Sequence, residues 1–201
     1  DMFIKQSVFE KQIKKAYKYD ALKIYKNEYD DIVIDTPNWT LAIYKDFISK
    51  EVKGALVKLV GDLPGNTESI LYGEVVGMQY EMEAMIDTSI LDKNYAEDIE
   101  YSEFFVSNLT IEKKYRVIQS ESDNSIIRMF NQEHLNMIVR SLVDTKNGET
   151  GVEGPVSNDG GSRLRWYTNA GTLEIRRAVS ENFSNELIET LKTIKLERYE
   201  E

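Results

Sequence analysis

Residues 7–20 divide their side chains between an apolar face and a cationic face, and this division constrains the fold more than any other feature. At helical spacing Phe9, Ile13, Ala16 and Tyr17 fall on one side. The pattern therefore predicts an amphipathic helix. A helix that is apolar on one side only must cover a sheet or another helix.

The opposite face of this helix carries lysines and no acid between the first lysine and the last. These lysines are Lys11, Lys14, Lys15 and Lys18. A second predicted helix, residues 46–60, turns three more lysines away from its apolar face: Lys50, Lys53 and Lys58. Surface helices usually mix both signs, and the chain as a whole has a formal net charge of -10. We therefore expect the two helices to attract a polyanion such as the DNA backbone without reading its sequence.

Hydrophobic periodicity predicts four helices separated by groups of strands. Ser7 and Glu10 predict a capping box that begins the first helix at Ser7. The remaining helices are predicted at 46–60, at 132–143 after an Asn131 cap, and after Ser184. The predicted strands are 22–25, 32–35, 40–45, 70–76, 78–86, 104–109, 114–119, 125–130, 163–168 and 172–178, with a glycine-rich loop at 145–162.

Short links between successive strands favour antiparallel pairing, because parallel crossovers need longer connections. The sequence therefore predicts an α+β protein with a mostly antiparallel sheet and about four helices packed on it. Repeated helix-plus-strands units are an open alternative. Residues 1–201 form a single predicted unit, and any internal boundary is expected within 87–103.

The residue types that are missing exclude several classes of site. The chain has no cysteine and a single histidine, His134, which we interpret as a residue at the edge of an apolar face. Disulfides, thiolate metal sites and thiol nucleophiles are excluded, and a reducing cytoplasm is the expected location. No apolar run spans a bilayer. We expect no metal, no cofactor and no enzymatic activity, although paired acids leave a carboxylate-based hydrolase open.

The excess negative charge is concentrated in one segment. Residues 61–110 contain eleven acidic side chains and one lysine. We interpret the acids between residues 92 and 103 as a solvated surface rather than a cation site, because they lack EF-hand spacing. The alternative function is therefore an acidic interaction module, of the inhibitor or immunity type, whose segment 61–110 binds a basic protein.

A late hairpin supplies a second candidate surface for an anion or a partner. Its residues are Arg163, Arg165, Tyr167, Arg176 and Arg177. Alternation places the first three on one face, and guanidinium groups beside aromatic rings suit phosphates or stacked bases. The competing interpretation is a solvated face whose arginines pair with acids such as Glu174.

Residues 2–70 resemble a DNA sliding clamp. The order MFIK, SVFEKQIKKAYKYD and the strands after it is similar to the repeated unit of that family, and FISKEVKGALVKLVGDLPGNTESI resembles its helix that ends in leucine-proline. The resemblance implies that the seven lysines face DNA while the rest of the molecule is acidic. It also implies a non-catalytic role and a homo-oligomer that closes a ring.

Overall fold

A computed structural model describes residues 3–81, 100–140, 143, 151–178 and 183–199. Within these residues four α-helices accompany one antiparallel sheet of eleven strands, which confirms the predicted α+β class. The helices are α1 Gln6–Lys18, α2 Lys50–Val60, α3 Gln132–Leu135 and α4 Asn185–Lys192. None of these described helices has the length and apolar character needed to cross a membrane.

The strands largely follow the predicted positions. They are β1 Leu22–Lys26, β2 Ile32–Asp35, β3 Trp39–Ile43, β4 Ser69–Gly73, β5 Gly77–Glu81, β6 Ser102–Ile111, β7 Tyr115–Ser120, β8 Ile127–Asn131, β9 Val152–Ser157, β10 Arg163–Thr168 and β11 Gly171–Arg176. Their order in the sheet is β5-β4-β1-β2-β3-β11-β10-β9-β6-β7-β8. The late hairpin of β10 and β11 therefore joins the first five strands to β6–β8.

Helices α1 and α2 pack against the same face of the sheet. Phe9 and Ile13 of α1 are buried in one core with Val52 and Leu56 of α2. The ring of Phe9 meets that of Trp39 on β3 edge-on, with 6.4 Å between the ring centroids. Burial of these apolar side chains holds both helices in place, so their polar sides must point to solvent.

Helix α4 covers the other face of the sheet at its β6–β8 end. Leu191 of α4 packs in a small apolar cluster with Val117 of β7, whereas Ile118, the next residue, belongs to the main core. Successive residues of a strand point to opposite faces. The two faces of β7 are therefore covered by different elements.

The first helix begins one residue before the predicted capping box, and that prediction is wrong. Lys5 occupies the N-cap position without a side-chain cap, and its carbonyl accepts a hydrogen bond from the Phe9 N–H at 3.0 Å. The Lys5 N–H itself donates to the carbonyl of Met137 at 2.7 Å. This tertiary contact fixes the entry of the helix. Glu10 instead accepts a hydrogen bond from Gln6 Nε2 at 3.0 Å.

Helix α2 is shorter than the predicted 46–60. A turn of 3₁₀ helix, Lys45–Phe47, precedes it, and Ser49 caps it by accepting a hydrogen bond from the Val52 N–H at 3.2 Å. Gly61 ends it with a positive φ of 81°.

The predicted helix 132–143 is wrong beyond its first turn as far as the described residues 136–140 and 143 show, and residues 141 and 142 lie outside them. Asn131 caps α3 by accepting a hydrogen bond from the Glu133 N–H at 2.9 Å, as predicted. The chain after α3 then pairs with the N-terminal segment: Val139 N–H donates to the Phe3 carbonyl at 2.8 Å, and Ile138 forms a bridge with Ile4. These bonds replace the helical ones.

The predicted loop 145–162 contains a strand. Strand β9 lies between β10 and β6 and pairs antiparallel with both. Its Val152, Pro155 and Ser157 are buried, and the pairing with β10 shifts register between Glu153 and Val156, which interrupts the strict alternation of a strand. Residues 145–150 of the predicted loop lie outside the described residues.

Candidate anion-binding surfaces

The seven predicted lysines are all exposed on α1 and α2, and we call them the lysine face. They are Lys11, Lys14, Lys15, Lys18, Lys50, Lys53 and Lys58. The structure brings Lys14 and Lys58 together at a groove of about 240 Å³ between the two helices. The apolar floor of this groove is formed by Ile13, Ala55 and Leu59. Two helices anchored side by side thus direct lysines from both into one solvent-facing surface.

One acid from outside the two helices interrupts the lysine face. Glu133 of α3 forms ion pairs with Lys15 at 3.2 Å and with Lys11 at 3.6 Å. Hydrogen bonding to Lys15 lowers the pKa of the Glu133 carboxyl. The lysine side of α1 contains no acid of its own, but the folded chain places Glu133 against it. The other five lysines form no ion pair within the described part of the chain.

The late hairpin does not present Arg165 and Tyr167 to solvent. Arg165 Nε lies 2.8 Å from Glu174 Oε2, and the two side chains are only 8% and 4% exposed. Tyr167 is buried, and its hydroxyl lies 3.5 Å from that of Tyr101. Burial, followed by this hydrogen bond, raises the pKa of Tyr167. The expected pairing with Glu174 is present, but inside the protein rather than on a solvated surface.

The buried charges of the hairpin belong to a row of polar side chains that crosses four neighbouring strands. The residues Asp35, Thr40, Glu174 and Arg165 stand directly opposite one another on four successive strands. Arg176 adds a hydrogen bond to Thr40 Oγ1 at 2.7 Å and an ion pair with Asp35 at 3.0 Å. Alternation in the sequence places Arg165 and Tyr167 on one face of the sheet, but it does not reveal that both side chains are buried.

The remaining arginines of the hairpin reach its open end. Arg163, Arg176 and Arg177 line a cavity of about 580 Å³, which we call the arginine cavity. Arg163 Nε pairs with Asp159 at 2.7 Å, whereas the exposed side chain of Arg177 has no hydrogen-bond or ion-pair partner among the described residues. Of the predicted hairpin residues, these three are accessible to a ligand.

His134 also lines the arginine cavity, a role that the sequence analysis missed. Its side chain is 5% exposed, so it is buried rather than at the edge of an apolar face. Burial, together with the nearby charge of Lys15, lowers its pKa to about 4. The imidazole is therefore neutral at pH 7, with one nitrogen donating and the other accepting.

No metal centre is formed by the described residues. They contain no group of three or more histidine, cysteine, aspartate or glutamate side chains placed to hold an ion. Asp92, Glu97 and Asp98 of the acidic segment lie outside the described residues, and Glu100 and Glu103 are exposed. The predicted docking segment 61–110 is likewise described only at 61–81 and 100–110.

Comparison with known proteins adds no family. No family model, no curated protein and no solved structure matches the chain. The geometry of the lysine face and of the arginine cavity therefore carries the functional argument.

Proposed function

We propose that this protein is a non-catalytic, DNA-associated protein of sliding-clamp-like build that binds the DNA backbone through the lysine face. The observation that carries the proposal is the pairing of α1 and α2, with Lys14 and Lys58 at the groove between them. Lysine ammonium groups neutralise phosphates without reading bases, so binding is independent of sequence.

The balance of charge on the two helices supports this role. Five lysines of the lysine face have no ion-pair partner among the described residues. The acids nearest in sequence are Glu10, which lines the groove and accepts a hydrogen bond from Gln6, and Glu51, which is exposed at the start of α2. A locally cationic surface on a molecule of net charge -10 restricts a polyanion to that surface, because the rest of the protein repels it.

The proposal is tested by reversing charge on the lysine face. The variant Lys14→Glu/Lys58→Glu is compared with Lys45→Glu/Lys195→Glu, a control that reverses two exposed lysines elsewhere. Fluorescence anisotropy with a labelled DNA duplex is recorded over a range of salt concentrations. The salt dependence of log Kobs reports how many phosphates the protein neutralises, and its slope changes by about 0.9 for each phosphate.

We expect the groove variant to bind at least about tenfold more weakly and to neutralise roughly two fewer phosphates. The control should change affinity little, because its substitutions add negative charge away from the groove. Equal weakening in the two variants, or a wild-type affinity that does not fall with salt, would reject the lysine face as the DNA-binding surface.

Assembly into a ring is the second part of the proposal. A closed ring requires self-association, as the resemblance to sliding clamps implies. Light scattering on the full chain measures the solution mass. A solution mass equal to that of one chain at all concentrations, with and without DNA, would exclude the ring. The salt experiment would still decide whether the lysine face binds DNA.

A further inference from the structure

We infer that the arginine cavity binds a small phosphate monoester, of about the size of a mononucleotide. The cavity has a volume of about 580 Å³ and lies where β10 and β11 meet α3. This volume is in the range of small-molecule sites. The inference is independent of DNA binding at the lysine face.

Two arginines are placed opposite each other at this point, although like charges in that position repel. Arg163 and Arg176 are direct cross-strand partners of β10 and β11. Each is held by its own acid: Arg163 Nε pairs with Asp159 at 2.7 Å, and Arg176 pairs with Asp35 at 3.0 Å. The terminal nitrogens of Arg163 have no partner among the described residues, so they are available to a ligand.

Arg177 adds a third guanidinium group that no described acid neutralises. Its backbone N–H donates to the Ser162 carbonyl at 2.9 Å, which fixes the position from which the side chain extends. Asp159 is the only carboxylate among the described lining residues, against three arginines. Because Asp35 pairs with Arg176 as Asp159 pairs with Arg163, the positive charge that remains unneutralised among the described residues is that of Arg177, and an anion can bind it. The fork of an arginine also suits the geometry of phosphate oxygens.

A fourth arginine, Arg128, lies next to Arg177 in a neighbouring cavity of about 310 Å³. Burial, followed by the charge of Arg177, lowers the pKa of Arg128. Arg128 does not line the arginine cavity, so its charge acts there only through its neighbour Arg177.

His134 provides a hydrogen-bonding group at the wall of the cavity. The residue is 5% exposed, lines the cavity and has no side-chain hydrogen-bond partner among the described residues. Its ring nitrogens are not enclosed by protein, so a ligand in the cavity can reach them. The neutral imidazole can donate to a phosphate oxygen while the arginines supply the charge.

The remaining lining residues accommodate the organic part of a monoester. Tyr115 and Pro37 contribute apolar surface to the cavity, and the exposed Asn38 side chain has no hydrogen-bond partner among the described residues. A ring or sugar attached to the phosphate would contact the first two and hydrogen-bond the third. Free phosphate would use the arginines alone and bind more weakly.

Isothermal titration calorimetry with the full chain tests the inference with three probes: adenosine 5′-monophosphate, adenosine and inorganic phosphate. We expect the monophosphate to bind at least about tenfold more tightly than adenosine, and inorganic phosphate to compete with it. No binding of the monophosphate, equal binding of adenosine, or binding of phosphate while the monophosphate is excluded would each overturn the assignment.

Two variants and one control assign the binding to the cavity. Arg177→Gln removes an exposed, unpartnered side chain, and Arg163→Lys keeps the charge but removes the fork. We expect each to weaken binding of the monophosphate by about tenfold or more, since hydrogen bonds to charged groups are strong. Lys45→Gln removes one exposed charge in the 3₁₀ turn before α2, outside both the lysine face and the cavity, and should leave binding unchanged.

The variants are first compared with the wild type by circular dichroism, so that a loss of fold is recognised. Because the two arginine changes differ in the interactions that they remove, binding is judged on whichever variant retains the wild-type spectrum and melting behaviour. Wild-type affinity in such a variant, or an equal loss in Lys45→Gln, would overturn the inference. Binding of a DNA duplex at the arginine cavity, without binding of the monophosphate, would also overturn the inference.

Discussion

Arg165 and Glu174 form a buried ion pair in the interior of the sheet, with 2.8 Å between Nε and Oε2. They stand directly opposite each other on β10 and β11, so the hairpin register alone brings them together. Glu174 also lies 3.5 Å from Arg176, which links the pair to Asp35 at the sheet's next polar positions. Removing Glu174 leaves Arg165 with neither water nor its counter-ion around it, whereas removing Arg165 leaves Glu174 with Arg176 still nearby.

The first prediction concerns this pair. Glu174→Gln should destabilise the protein by about 3–5 kcal/mol, whereas Arg165→Met/Glu174→Leu should cost far less because no charge is stranded. Urea unfolding measures both. Glu189→Gln breaks the exposed pair of Glu189 and Lys192 and should change the free energy of unfolding by less than about 1 kcal/mol. A similar effect in the buried and the exposed pair would contradict the prediction.

The second prediction concerns the acid that interrupts the lysine face. Glu133→Gln releases Lys15 and Lys11 from their ion pairs, so DNA affinity should rise by about two- to fivefold at low salt. Glu186→Gln, an exposed acid of α4, removes the same charge elsewhere and serves as the control. Anisotropy titrations compare the two. If Glu133→Gln binds DNA no better than Glu186→Gln, lysines 11 and 15 do not contribute to the surface.

The third prediction concerns pH. The folded-state pKa of His134 is lowered from 6.5 to about 4, mainly by burial, so the unfolded chain takes up the proton first as the pH falls. Stability from this group is complete above about pH 6.5 and is lost as the pH falls toward about 4, by roughly 3 kcal/mol in total.

Urea unfolding of the wild type and of His134→Gln across this range isolates the contribution of the histidine. Carboxyls whose pKa values are lowered, such as those of Glu133 and Asp159, also lose stability in acid, but they are common to both proteins. The difference between the two curves should shrink as the pH falls through the window. A difference that does not vary with pH would contradict the prediction.

The fourth prediction compares two glycines. An added Cβ at Gly171 would lie 2.0 Å from the Ala42 carbonyl oxygen, where β11 and β3 approach closely, and no side chain can move to relieve this contact. Gly54 is exposed in the interior of α2, and a Cβ there would meet nothing within 4 Å. Gly171→Ala should therefore destabilise the protein by more than about 2 kcal/mol. Gly54→Ala should stabilise it by about 0.5–1 kcal/mol.

Thermal unfolding of both glycine variants checks that Gly171→Ala lowers the melting temperature and that Gly54→Ala raises it. The Gly54 variant acts as the control for the general effect of adding a methyl group. Shifts of the melting temperature in the same direction would contradict the close approach of β11 to β3.

The sequence predicts the fold class and most strands because their signals are local. Alternation along 32–35 and 163–168 predicts β2 and β10 at their observed bounds, and the one-sided face with Phe9 and Ile13 predicts α1. The helix at 132–143 fails because its residues have helical spacing but bond to Phe3 and Ile4 instead. That competition depends on contacts between distant parts of the chain.

The candidate sites divide in the same way. Exposure of the lysines follows from the amphipathic pattern of their own helices. The contact of Glu133 with Lys15 does not follow from this pattern, because Glu133 lies more than a hundred residues further along the chain. Alternation likewise places Arg165 and Tyr167 on one face of the sheet, but periodicity contains no information about what lies over that face. His134 lines the cavity because the fold brings α3 next to the hairpin, which local sequence patterns do not indicate.

The seam between β3 and β11 has a consequence for the newborn chain. Trp39–Ile43 leaves the ribosome while its partner Gly171–Arg176 is still untranslated. At about 5–20 residues per second, the edge of β3 waits roughly 6–25 s for that partner. During this interval its unpaired backbone can recruit another nascent strand. Slowing translation after β3 should therefore increase aggregation, and chaperones that shield strand edges should relieve it.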